Sequence, residues 1–395
     1  MVLTDAARRP IWPMPQESSL PRDGANVFLC LDAVIQGYLE EAIQQSLEKF
    51  AAKWATGIVV NPSTGAILAM ASLPSFDPND YGQANLEGMA NRAITMPFEP
   101  GSVFKPVVAA GAVDAGVVSY QEEIFCENGV YNAPRGGRIS DHGKSYGTLT
   151  ITDGVVLSSN ICMAKIGEKL GNEMIHRIVE RFGFGQQTGI DLPGQSPGIL
   201  RPLAKWDGYS MRRVPFGQEI SATALQITMA FCALANGGQL LRPRLVELVA
   251  DNEGQVLYQS HKEVVRRVLS PPVAAQSLAV LEEVVRRGTG RACQMARWRS
   301  FGKTGTAQIA GDGGYVEDAY VGSFVGGAPT SNPRVLCMIA IYRPEKHRGY
   351  YGATVAAPYV KQVLEHSLTY LGVPPDKAEP GETKSTLVMG QRPWD

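Results

Sequence analysis

The strand-like stretches of this chain lie at its two ends, and that placement limits the folds open to it. Near the start, Gly57-Ile58-Val59-Val60, the turn Asn61-Pro62-Ser63-Thr64-Gly65 and Ile67-Leu68-Ala69-Met70-Ala71 predict a hairpin. Near the end, residues 300–309, the turn Gly311-Asp312-Gly313-Gly314, and residues 320–328 and 335–342 predict further strands. Between them, over roughly 102–295, the pattern is mainly helical, most clearly at 161–170, 173–182, 222–235 and 272–287. A helix capped by Asp32 precedes the hairpin, its apolar stripe running from Ile35 to Phe50 and Trp54, and residues 355–371 predict a closing helix. The expectation is an α+β architecture. Strands from both ends share one antiparallel sheet flanked by helices, with a mostly helical subdomain inserted between them.

Residues 1–26 carry Pro10, Pro13, Pro15 and Pro21 without periodicity and predict an arm or linker. One domain is expected over 27–375, and the polar segment beyond Pro374, 376–395 above all, predicts a loose tail. A chain that is 44% apolar can bury a large core, so disorder is excluded by composition. A net charge of −1 excludes nucleic-acid binding through bulk charge. No apolar run reaches the roughly 18 residues that span a bilayer. The cysteines form no CxxC pair and no metal-like cluster, so no metal is expected. Cys30, Cys162, Cys232 and Cys337 lie in apolar runs and predict buried thiols, whereas Cys126 and Cys293 lie in polar stretches where a bridge stays open.

Three short motifs carry chemistry. In Pro100-Gly101-Ser102-Val103-Phe104-Lys105, Ser102 falls at a helix start, and a spacing of three puts Lys105 on its face within hydrogen-bond reach. A desolvated lysine near a second cation can stay neutral and take the serine proton. In Leu157-Ser158-Ser159-Asn160, Ser158 and Asn160 can point a hydroxyl and an amide into one cleft. In Phe301-Gly302-Lys303-Thr304-Gly305-Thr306, Lys303 and Gly305 share one strand face and Thr304 and Thr306 the other. A peptide can run beside such a strand, with Gly305 allowing close approach. Each motif alone is weak: a capping serine, a second cap, a sheet edge.

Their order is not weak, because S-x-x-K, S-x-N and K-T-G in sequence form the signature set of serine β-lactamases and penicillin-binding proteins. Over roughly 27–375 the chain resembles the transpeptidase domain of class B penicillin-binding proteins, the enzymes of septal and lateral peptidoglycan synthesis. Besides the motifs, the resemblance rests on the 57–71 hairpin, Phe98-Glu99-Pro100-Gly101-Ser102, Arg181-Phe182-Gly183-Phe184-Gly185 and Thr188-Gly189-Ile190-Asp191-Leu192-Pro193-Gly194. It continues through Phe216-Gly217-Gln218, Ala235-Asn236-Gly237-Gly238, Gly288-Thr289-Gly290 and Tyr350-Tyr351-Gly352. It implies Ser102 as acylated nucleophile and Lys105 as general base, its pKa held down with help from Lys303. Ser158 is implied as proton relay, and Asn160 as the residue that binds the donor amide and orients Lys105. Lys303, Thr304 and Thr306 are implied to face a terminal D-alanine carboxylate, with the Ser102 and Thr306 backbone N–H groups as oxyanion hole.

The implied reaction is cross-linking of peptidoglycan stem peptides ending in D-Ala-D-Ala, with β-lactams trapped as acyl-enzymes and no cofactor. The implied partner is a membrane glycosyltransferase of the division or elongation machinery. A D,D-carboxypeptidase is the adjacent alternative. A class A β-lactamase fits less well, since Glu168-Lys169-Leu170-Gly171-Asn172 has its leucine one position early and sits in a helix. A non-catalytic β-lactam sensor lacks a signalling region here. A Ser–His pairing through His142 is not expected, because Lys105 already supplies a base. Two departures stand out. Glu219 replaces a glycine usual after Gln218, and it is expected to be a tolerated loop charge. The family's membrane anchor and pedestal do not precede the domain, so the expectation is a piece of a longer chain or another mode of anchoring at the extracytoplasmic (periplasmic) face of the inner membrane.

Overall fold

The computed structural model describes residues 5–9, 23–134, 137–142, 144–311 and 314–377. Most of the predicted arm and tail, and Asp312 and Gly313 of the predicted turn, lie outside the described residues.

The main unit, Cys30–Leu245 with Lys262–Asp395, is organised by a five-stranded sheet. Its strands are β1 (Trp54–Val60), β2 (Ile67–Leu73), β3 (Phe301–Gly311), β4 (Gly314–Ala328) and β5 (Val335–Tyr342), in the order β3-β4-β5-β1-β2. Every neighbouring pair is antiparallel. The pairing of β5 with β1, from Leu336↔Val60 to Tyr342↔Trp54, joins the two ends of the chain as the strand runs predict. Fully buried strands of Val, Ile and Ala have one reason to form: both faces are covered.

The covering helices are α1 (Ala33–Lys49), α2 (Lys105–Asp114), α3 (Asn160–Arg181), α4 (Ala224–Ala235), α5 (Pro271–Arg287) and α6 (Ala357–Tyr370). Asp32 caps α1 by accepting from Val34 N and Ile35 N, and Thr223 with Gln226 closes a capping box on α4. On one face, α1 and α6 bury Leu39, Ile43, Val360 and Leu364 against Ala55, Val59, Cys337, Ile339 and Ile341. On the other face, Ile58, Val60, Leu336, Met338 and Ala340 meet the core of the inserted helical region, including Phe104, Val108, Cys162, Met229 and Phe231. The side-chain alternation of a strand explains how neighbours such as Ile58 and Val59 serve different cores.

Some predicted boundaries shift. The helices predicted at 161–170 and 173–182 abut as α3 with a break at Gly171 (φ 71°). Trp54 leaves the α1 stripe and opens β1, where it stacks on Tyr342 at 4.4 Å between ring centroids. The middle is less purely helical than predicted, since short strand pairs such as Glu123–Phe125 with Thr148–Thr150 and Gln239–Leu241 with Val264–Arg267 interrupt it. Strands this short carry too little periodicity to predict. The start of the predicted loose tail is docked: Trp298 Nε1 donates to Val373 O and Pro374 O, and Asp376 accepts from Arg299 N at 2.6 Å. No disulfide joins the six cysteines, and Cys126 and Cys293 are buried rather than bridged, whereas Cys30 is only half-buried. Their stretches look polar in sequence but fold inward beneath their neighbours.

The second unit combines Met1–Leu29 with Val246–His261. In it Asn26–Leu29 pairs antiparallel with Val246–Ala250, which pairs with Val256–Gln259.

Among the described residues, no helix is long and apolar enough to cross a membrane, and no group of three or more His, Cys, Asp or Glu is placed to hold a metal ion.

Candidate active site

The site forms where the helical region meets the edge strand β3. Ser102 lies on a 3-10 turn, Gly101–Phe104, one step before α2 rather than on the α-helix itself. A 3-10 turn eclipses residues three apart, so Ser102 and Lys105 still share a face. The Ser102 hydroxyl is half-buried and makes no hydrogen bond to the described residues. Ser102 Oγ and Lys105 Nζ, on one face as the spacing predicts, are not hydrogen-bonded to each other.

Lys105 is directed instead at the second motif. Its Nζ donates to Ser158 O at 2.6 Å, to Ser158 Oγ at 3.1 Å and to Asn160 Oδ1 at 2.7 Å. Lys303, from β3, donates to the same Ser158 Oγ at 3.0 Å and to Thr304 O at 3.2 Å. One hydroxyl thus bridges two lysines, both fully buried. Ser158 occupies the turn between helix Ile151–Val156 and α3 at φ 63°, a left-handed conformation that costs a serine energy. The structure therefore gathers Lys105, Asn160 and Lys303 around Ser158, and it sets the turn that carries Ser102 against β3 at Gly305.

Burial of two ammonium groups depresses both. Lys105 falls to about 7, chiefly by desolvation, with Asp141 and then Cys162 pulling the other way. Lys303 falls well below its usual value, by burial first and by the charge of Lys105 second. Repulsion between two adjacent ammonium groups is mutual, and it deepens the fall of Lys303.

The glycines of the site serve packing within the protein. A Cβ at Gly305 would clash with Ser323 Oγ on β4 and lie 2.9 Å from Val103 Cγ1 and 3.1 Å from Pro100 O, so this glycine admits both its strand neighbour and the turn that carries Ser102. Close approach at Gly305 thus comes from the chain's own Ser102 turn and from Ser323. Thr304 Oγ1 shares a hydrogen bond of 2.8 Å with Thr289, and Thr306 Oγ1 accepts from Gly352 N at 3.1 Å. β3 is the sheet's edge strand, paired with a strand on one side only among the described residues.

Several contributors escaped the sequence reading. Thr289 was legible only as part of Gly288-Thr289-Gly290. Glu99 accepts from Glu219 N at 2.9 Å and from Tyr315 OH at 2.9 Å, and burial first raises its carboxyl. Asp141, 5% exposed, bonds the turn that carries the second motif. Glu219 is not a free loop charge. It sits at φ 63°, which explains a glycine preference there, and its carboxylate is held by Arg201, Arg213 and Ser210. His142 makes no hydrogen bond to Ser102 or Lys105.

Comparison with known proteins agrees with this geometry. The family model described as the penicillin binding protein transpeptidase domain matches residues 55–365. Stage V sporulation protein D of Bacillus subtilis is 34% identical over 371 residues, covering 92% of this chain and 57% of that protein. The probable peptidoglycan D,D-transpeptidase PbpC of Pseudomonas aeruginosa is 31% identical over 361 residues, covering 91% of this chain and 61% of that protein. The chain therefore spans less than two thirds of the length of these relatives. Among solved structures, penicillin-binding protein 3 of Mycobacterium tuberculosis, complexed with ampicillin, superposes with a TM-score of 0.84 at 30% identity, covering 92% of this chain and 83% of that one. The transpeptidase domain of Burkholderia pseudomallei penicillin-binding protein 3 gives 0.77 at 28% identity, covering 89% and 98%. A fold that pairs the chain ends in one sheet, a cleft that collects three motifs, and a family match across most of the chain agree: the protein belongs to the class B transpeptidase family of penicillin-binding proteins.

Proposed function

We propose that this chain is a serine D,D-transpeptidase domain, spanning residues 27–375, that cross-links peptidoglycan stem peptides. The observation that carries the reading is Ser158 Oγ held between two buried lysines, one of them poised at about 7. An amine half-neutral near pH 7 is matched to general-base work.

In the proposed cycle Lys105 takes the Ser102 proton as Ser102 Oγ attacks the penultimate D-alanine carbonyl. The developing oxyanion is met by the backbone N–H groups of Ser102 and Thr306. The C–N bond then breaks, and the proton passes through Ser158 to the departing D-alanine amine. An acceptor amine attacks the ester, returns a proton by the same route and releases Ser102, which is ping-pong chemistry. Asn160 donates from Nδ2 to Ser140 O at 3.0 Å, so its second amide hydrogen is the one left for the donor peptide. The terminal carboxylate is bound by Lys303 with Thr304 and Thr306. Burial disfavours charge on Lys303, and an arriving carboxylate favours its ammonium form. A β-lactam enters the same way and leaves an ester that water removes slowly.

The domain works at the extracytoplasmic face of the inner membrane beside a membrane glycosyltransferase, which would supply glycan strands for it to cross-link. Labelled penicillin tests the chemistry: modification that disappears in Ser102→Ala supports it, and modification that persists in that variant sinks it. Incubation with donor and acceptor stem peptides separates a cross-linked dimer from D-alanine release alone, the carboxypeptidase outcome.

A further inference from the structure

The second motif is held from beneath by a carboxylate that the proposed cycle does not use. Asp141 Oδ1 accepts from Asn160 N at 2.6 Å and from Ile161 N at 3.1 Å, and its Oδ2 accepts from Ser159 Oγ at 2.8 Å. Ser159 in turn caps α3 by accepting from Cys162 N at 3.0 Å. The first three N–H groups of α3 are thus satisfied by two side chains on the 141–159 side of the cleft. Asp141 is itself anchored, its N–H donating to Gly129 O at 3.2 Å and its carbonyl accepting from Lys144 N at 3.0 Å. Every bond it makes to the motif falls on a residue adjoining Ser158 or on Asn160, the two residues from which Lys105 hangs.

Resting on the transpeptidase reading, we infer that Asp141 is a positioning residue for acyl transfer. It fixes the strained 158–160 turn that aims Lys105, and it supplies the buried negative charge that faces the lysine pair. A plain helix cap would do the first and not the second. The charge acts on Lys105, for which Asp141 is the largest influence opposing desolvation. Besides Lys303 on β3, the titratable groups around Lys105 and Asp141 are Cys162 on α3, and His142, Tyr146 and Cys126 on neighbouring segments. None of these is a carboxylate.

The test is the second-order rate of acylation by a fluorescent penicillin, measured against pH in wild type and in Asp141→Asn. Asparagine keeps the shape and removes the charge. Lys105 must be neutral to act, so the acid limb of the wild-type profile follows its deprotonation near 7. Removing a charge that favours the ammonium form lets Lys105 lose its proton at lower pH. The expected result is an acid limb displaced to lower pH, with the plateau rate down at least tenfold from loss of the clamp. An unmoved limb, whether the plateau falls or not, overturns the inference and leaves Asp141 a cap. Should Asp141→Asn fail to fold by circular dichroism, Ser159→Ala keeps the charge and removes one tie. Its expected profile has a severalfold lower plateau and the wild-type limb, and an unchanged plateau overturns the positioning role. Wild-type labelling at Ser102 in the same experiment reports on the transpeptidase reading separately. If the wild type is not acylated there, the reading fails; if it is and the variants do not respond, only this inference fails.

Discussion

The two faces of the five-stranded sheet are buried to the same degree and hold different things. Against α1 and α6 the sheet presents Val59, Cys337, Ile339 and Ile341, and their neighbours are Leu39, Val360, Val363 and Leu364, all fully buried and all apolar. On the opposite face β3 presents Phe301 and then Lys303 to the helical region, where Lys105 is buried as completely. Burying a leucine lowers the free energy of folding, whereas burying an ammonium group raises it unless the group gives up its proton. The difference teaches that one layer of this protein supplies stability which the other layer spends on two amines of perturbed proton affinity.

The comparison can be broken most directly at Ser102. Ser102→Ala is expected to lower acylation by penicillin at least about a thousandfold, as for loss of a nucleophile. Unfolding free energy should stay within about 0.5 kcal/mol, because the side chain is half-buried and unbonded. Gel fluorescence and denaturant titration read the two quantities side by side. On the other face, Leu364→Ala should cost about 2–5 kcal/mol of stability by leaving a cavity. Its acylation rate per folded molecule should remain within about twofold, since independent distant sites do not couple. A large rate loss there would show that the two layers are not separable.

The third outcome concerns pH. Lys105 titrates at about 7 when folded against an unfolded value of 10.5. Between those values the unfolded chain binds the extra proton, so stability rises with pH through that window and is lost as pH falls toward 7. Lys105→Met lacks this group. The wild type should therefore gain on the variant by a few kcal/mol between pH 7 and pH 10, as measured by urea unfolding at each pH. A constant difference would mean that the lysine is not held neutral by the fold. The smallest effect is expected from Gly305→Ala, whose methyl group would press on Ser323 Oγ, on Val103 and on Pro100 O. Displacing the Ser102 turn should slow acylation roughly tenfold to a hundredfold, and overpacking against buried Ser323 should lower the melting temperature by several degrees.

The fold was largely legible because its signals are local and repeated. The hairpin of β1 and β2, the strand β5 and the capped start of α1 follow from alternation, turn chemistry and Asp32. That the two ends share one antiparallel sheet followed from strand runs at both ends, whereas the pairing of β5 with β1 was decided only in the structure. Short strands such as Glu123–Phe125 and the docked segment around Val373 and Pro374 were not legible, because their partners are distant in sequence. In the site, the five residues of the three motifs were named in advance, but their bonding was not. Lys105 reaches across to Ser158 and Asn160 rather than to Ser102. Asp141 and Thr289 carry no motif of their own and became visible only through their partners.

By itself the sequence determined which chemical groups the cleft contains and the order in which the chain delivers them, since residue type, spacing and local periodicity are properties of a string. What only the tertiary structure decided is the proton affinity of those groups. A lysine at 105 or 303 is an ordinary ammonium in any exposed loop. Its proton affinity falls here because β3, α2 and the start of α3 bury it, with one serine hydroxyl shared between both amines. Desolvation and charge proximity depend on three-dimensional distance, and no spacing along the chain encodes them.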